Sequence, residues 1–149
     1  MIYRYFLAVL MIIGLLSSTI SASGDCKCRK PAHDDTTREG ANERVEYQES
    51  KIYKTLAGKV MAPNRDPLED VLIEVFKQSQ KERDSRYRIT ACLTDSQGRF
   101  CFGKLQPGRY RLQLSLGSGW NHASVNVTVN PKHPRSVNRA LELKMTLGD

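Results

Sequence analysis

From Lys51 onward, apolar and polar residues alternate in short runs separated by turn-forming residues. A period of two is the pattern of a half-buried β-strand. The clearest run is residues 110–116. Tyr110, Leu112, Leu114 and Leu116 point one way, and Arg111, Gln113 and Ser115 point the other. Val125, Val127 and Val129 repeat the pattern, as do Leu141, Leu143, Met145 and Leu147. Earlier come a run over 52–61 and a second in which Val71, Ile73 and Val75 share a face. A loop with Pro63 and Pro67 separates those two. Pro107-Gly108 predicts a type II turn with the glycine at positive φ. About seven strands result, with no helical periodicity between them. That density of short strands predicts an all-β fold, a seven-stranded Greek-key-type sandwich over residues 51–149.

The stretch "TDSQGRFCF", residues 94–102, reads as a tight connection between two strands. Asp95 can accept bonds from amides just ahead of it, and Gly98 can close the turn in the left-handed region. With Ser96 and Gln97 at the tip of a hairpin, Leu93 faces Phe100 and Cys92 faces Cys101. Ile89, Ala91, Leu93, Phe100 and Phe102 then form the apolar face, and the two cysteines point outward.

The beginning of the chain differs. Arg4 is followed by an apolar run over 6–16 and by Ser21-Ala22-Ser23. The run is short for a membrane span and fits a secretory signal, residues 1–23, cleaved before Gly24. An uncleaved anchor is the competing reading. A secreted protein, periplasmic or extracellular, is expected, with no membrane span after cleavage. Residues 24–50 are highly polar and are expected to be a flexible segment that cannot bury enough surface to order itself.

Export changes the meaning of the four cysteines, because an oxidising compartment favours disulfides. The hairpin register favours Cys92–Cys101. It leaves Cys26 and Cys28 free, paired with each other or joined to another chain. Cys26 and Cys28, with His33 nearby, are also weak candidates for a soft metal. Their Cys-x-Cys spacing is tighter than usual zinc sites. No metal or other cofactor is therefore expected. His122 and His133 read as ordinary loop histidines. Asn126-Val127-Thr128 is a glycosylation sequon on an outward strand position.

The net charge is +7, and it falls to +6 when Arg4 leaves with the signal. Arg88, Arg99, Arg109 and Arg111, with Arg86 beside them, are candidates for a basic patch facing a polyanion. Solvated charges that discourage edge-to-edge pairing are the plainer explanation. No nucleophile framed by glycines and no phosphate loop is present in the sequence.

The order of motifs resembles the carboxypeptidase regulatory-like domain, a transthyretin-like sandwich. "LAGKVMAPNRDPLEDVLIEVF" is followed by "TDSQGRFCFGKLQPGRYRLQLS". Gly58 to Val60, Pro67 to Val75, Thr94 to Phe102 and Leu105 to Leu112 carry the likeness, within residues 54–147. The resemblance implies a folding, docking or spacer module and no peptidase activity. Hormone transport is not carried over, because binding-channel residues do not map onto these motifs, and the ending "KMTLGD" departs from the "YRGS"-type ending of hydroxyisourate hydrolases. The expected function is a non-catalytic structural or interaction module with a protein or polysaccharide partner at the cell surface. No nucleic-acid partner is expected. The alternative is a small secreted metal-handling protein or enzyme using the N-terminal Cys-x-Cys/His segment.

Overall fold

The computed structural model describes residues 28–31, 41–79, 87–117 and 119–148. The expected signal, residues 1–23, lies outside them, as do Cys26, His33 and Arg86. Eight strands follow in chain order: β1 (Ala41–Tyr53), β2 (Leu56–Met61), β3 (Leu72–Lys77), β4 (Thr90–Leu93), β5 (Arg99–Phe102), β6 (Gly108–Ser115), β7 (Asn121–Val129) and β8 (Leu141–Lys144). They form a five-stranded sheet, β1-β7-β6-β3-β4, and a three-stranded sheet, β5-β2-β8. The protein is an all-β, transthyretin-like sandwich, and its described residues hold one strand more than the seven expected.

The alternation read from the sequence supplies the core between the sheets. Ile73, Val75, Leu112, Leu114, Val125, Val127 and Val129 enter from the large sheet. Leu56, Val60, Phe100, Phe102, Leu141, Leu143 and Met145 enter from the small one. Leu147, expected inside, is 60% exposed because β8 ends at Lys144. Gly58 sits where the small sheet is tightest. A Cβ there would collide with the carbonyl oxygen of Leu141 and the ring of Phe100. Gly108 does not take positive φ, as a type II turn requires; it begins β6 and pairs with Val129. The turn before it is held instead by Tyr110, whose hydroxyl donates to the carbonyl of Gln106 at 2.5 Å.

Two expectations need correction. The first concerns residues 24–50, read as flexible. Residues 41–53 form β1, which runs parallel to β7 with Val45 beside Ala123 and Tyr47 beside Val125. Backbone pairing supplies the order that its polar side chains do not advertise. The second concerns the hairpin. β4 and β5 are not paired; β4 pairs with β3 in the large sheet and β5 with β2 in the small one. The turn chemistry itself is as read. Asp95 Oδ1 accepts from the amides of Gln97 and Arg99, each at 2.9 Å, and Gly98 has φ +69°. The turn is a corner that carries the chain from one sheet to the other. Strands on facing sheets choose their inward residues independently. Cys92 therefore enters the core together with Phe100 and Phe102, while Ile89 is 43% exposed.

Candidate interaction surface

The register of the large sheet orders its outer face, the one turned away from β2, β5 and β8. One row runs Leu93, Leu72, Ser115. The next holds Ala91, Glu74, Gln113 and Ser124. A third holds Phe76, Arg111, Asn126 and Gln48. Leu72 and Phe76 are buried, at 2% and 1% exposure, although they alternate with the core residues Ile73 and Val75. The guanidinium of Arg111 lies 5.8 Å from the centroid of the Phe76 ring, within cation–π range. Arg111 Nε and Nη2 and Gln113 Nε2 are withdrawn from solvent without a hydrogen-bond partner. Beside them Arg88 donates to Glu74 at 2.9 Å.

Arg111, Arg88 and Arg109 belong to this sheet or its margin, but Arg99 does not. It lies on β5 and donates to Asp95 Oδ2 at 2.9 Å. The four arginines therefore do not make one basic patch; β4 and β5 diverge into different sheets, and two of the four are paired with carboxylates. Burial would raise the Asp95 carboxyl, but it is outweighed by the Arg99 amide and guanidinium and the Gln97 amide. Asp95 is held below the ordinary carboxylate value. Asn126 is half-buried in the middle of β7, between Arg111 and Gln48. His122 is half-buried on β7, and His133 Nδ1 accepts the Arg135 amide at 3.1 Å.

The cysteines are placed otherwise than expected. Cys92 is bonded to Cys28, not to Cys101. Cys92 points into the core from β4 and Cys101 lies on the other sheet, so the proposed cross-strand bond has no geometry. Cys101 is itself disulfide-bonded, and none of the cysteines among the described residues is free. A disulfide sulfur is not a thiolate ligand. Cys28 thus cannot serve the metal site considered for the Cys-x-Cys segment. Among the described residues no group of three His, Cys, Asp or Glu side chains could hold a metal ion.

Leu72, Phe76 and Ser124 were not singled out by sequence reasoning, and Gln113 was read only as an outward position. A signal for the first two was present: "VLIEVF" is apolar at five of six positions. A near-continuous apolar run indicates a strand buried on both faces.

Among solved structures, the fold resembles 3-chlorocatechol 1,2-dioxygenase from Rhodococcus opacus 1CP at 14% identity and a TM-score of 0.41, covering 74% of this chain and 67% of that one. It also resembles catechol 1,2-dioxygenase from Pseudomonas arvilla C-1 at 10% identity and a TM-score of 0.42, covering 81% of this chain and 62% of that one. These chains extend well beyond the shared region, and likeness at this level transfers no activity. No curated protein sequence matches. The sequence profile of the carboxypeptidase regulatory-like domain, in contrast, matches residues 55–142, from just before β2 to the start of β8. With more than half its length matched, and with the motifs of that profile lying on the strands and corners described above, the chain belongs to the carboxypeptidase regulatory-like domain family.

Proposed function

We propose that this chain is an exported, non-catalytic sandwich module that holds a protein or polysaccharide partner in the cell envelope or at the cell surface. The carrying observation is how its chemistry-bearing side chains are used. Cys28, Cys92 and Cys101 are in disulfides, and Arg88 and Arg99 are paired with carboxylates. Thr94 and His133 tie connections together. Among the described residues, the buried donors left without acceptors, on Arg111 and Gln113, stand side by side on the outer face of β6. An unpaired buried donor costs roughly 1–3 kcal/mol, so a surface bringing acceptors to it is favoured. Carboxylates and hydroxyls of an envelope polysaccharide, or main-chain carbonyls of a protein, supply them. The expected signal and the basic charge agree with work outside the cytoplasm.

The test is co-sedimentation of the purified chain with isolated envelope polysaccharide and with envelope protein. The parent is expected to sediment with one of the two, and R111A/Q113A to lose most of that binding with an unchanged melting temperature. Equal binding by the variant, or retention of the chain in the cytoplasm, would overturn the proposal.

A further inference from the structure

Lys77 and Arg109 stand together where β3 ends and β6 begins. With Gln78, Ser79 and Gly108 they line a cleft of about 510 Å³. Its described lining thus holds two cations and no acid. Both cations are exposed, and among the described residues neither forms an ion pair. The backbone there is fixed, because the Gln78 amide donates to the Arg109 carbonyl at 3.1 Å. The atoms nearest to a Cβ built on Gly108 belong to the Tyr110 side chain, at 3.6 and 3.7 Å. Those are ordinary contacts, so packing does not require the cleft to stay open at that point.

Strand alternation puts Arg109 on the same outer face of β6 as Arg111 and Gln113. Successive members of that row are roughly 6.4–6.8 Å apart along the strand. Thr128 and Asn126 on β7 lie beside Arg109 and Arg111 in register. The two Arg111 nitrogens without a partner, Nε and Nη2, share one edge of the guanidinium. That edge matches both oxygens of a single carboxylate. Arg111 is half-buried, so salt screens an anion there less than in the open cleft.

We infer, on the footing of the binding role proposed for Arg111 and Gln113, that the outer face of β6 takes a uronate-bearing polysaccharide, with one carboxylate on the Arg111 fork and another in the Lys77–Arg109 cleft. One small acid cannot occupy both places, whereas a chain with repeated acid groups can. Thr128 and Asn126 offer donors and acceptors to its hydroxyls. A protein partner suits the strip less well. On this face β6 and β7 present only polar side chains, and the core of a protein interface is depleted of charge.

Equilibrium binding of the purified protein to polygalacturonate tests this, with methyl-esterified polygalacturonate and dextran sulfate as comparison polymers. The parent is expected to bind polygalacturonate, and to bind more weakly as ester content or salt rises. K77A/R109A is expected to bind about tenfold more weakly, for the loss of two exposed charge contacts, with an unchanged melting temperature. Gly108→Val keeps both charges, obstructs the cleft and should weaken binding several-fold. Equal binding of the esterified polymer, equal binding by K77A/R109A, or a preference for dextran sulfate would overturn the inference. If R111A/Q113A loses binding and K77A/R109A does not, the cleft is wrong and the role of Arg111 and Gln113 stands. A parent that sediments with envelope protein but binds no polygalacturonate has the same meaning. If a substitution unfolds the chain, the ester comparison decides.

Discussion

The large sheet has two edges, and they are held by different means. β1 spans 13 residues and lies against β7 through a parallel ladder with two register shifts. Its far end is fastened by more backbone bonds. The Val137 amide donates to Ile52 at 2.7 Å, and the Asn130 amide to Tyr53 at 2.9 Å. β4 has only four residues. It is secured by the Cys28–Cys92 bond, by Arg29 at its outer edge and by Thr94 at its end. A long edge can rely on many modest backbone bonds. A short edge has few of these and needs a covalent or fully buried polar link to remain in place.

The largest expected effect follows from removing that covalent link. Cys28 and Cys92 are 64 residues apart in sequence, so their bond restricts the unfolded chain substantially. The chain-entropy estimate for such a loop is about 4 kcal/mol. Cys28→Ala is expected to lower stability by about that amount, read from urea midpoints. Amide exchange should accelerate first at Leu93 and much less at Tyr47. Faster exchange along β1 and β4 to the same degree would show that the two edges are not separately held.

A smaller effect is expected at the end of β4. Thr94 is fully buried; its Oγ1 accepts the Val71 amide at 2.9 Å and donates to the Leu68 carbonyl at 2.7 Å. Thr94→Val keeps the shape and strands both partners, a cost of roughly 2–3 kcal/mol. Thr94→Ser keeps the hydroxyl and should recover most of it. A loss in Thr94→Ser with little or none in Thr94→Val would mean that the methyl group, not the hydroxyl, matters.

The same two edges mark the limits of what the sequence reveals. Alternation identified β6, β7 and β8 and most of their inward residues, because each buries one face against the facing sheet. β1 escaped because backbone bonds do not depend on side-chain type. Among its described side chains, the one in the central core is Tyr53, at its last position. β4 was misassigned for the opposite reason. Ile89, Ala91 and Leu93 offered a plausible apolar face, yet the core takes Cys92 between them. A cysteine bonded to a distant partner is a sizeable apolar group, and local pattern gives no sign of where that partner lies. The corner at 94–98 showed its turn residues clearly, but the same residues serve a hairpin or a change of sheet. The outer face of β6 was read as solvated because Arg111 and Gln113 are polar. Only the double-faced apolar run of β3 hinted that the face is partly closed.

The smallest expected effect is at β1, and it depends on pH. Burial, and after it the charge of Glu49, push the Tyr53 phenol up to about 12. Ionisation is therefore harder in the folded protein than in the unfolded chain, where the phenol titrates near 10. With the folded value raised, the stabilisation is complete below about pH 10 and is lost as the pH climbs toward 12. Tyr110 is raised by burial as well and contributes to the same alkaline loss. Tyr53→Phe should thus flatten the decline without abolishing it. At pH 8 the variant is expected to lose about 1 kcal/mol, the usual worth of one hydrogen bond, here that between the Tyr53 hydroxyl and Glu49. By pH 11.5 the gap between variant and parent should narrow or reverse, because the variant has no buried phenol to ionise at that position. Urea midpoints at the two pH values measure this directly. A gap that stays constant would show that Tyr53 is not shielded by the end of β1, and that this edge is looser than its ladder and its bonds to Val137 and Asn130 imply.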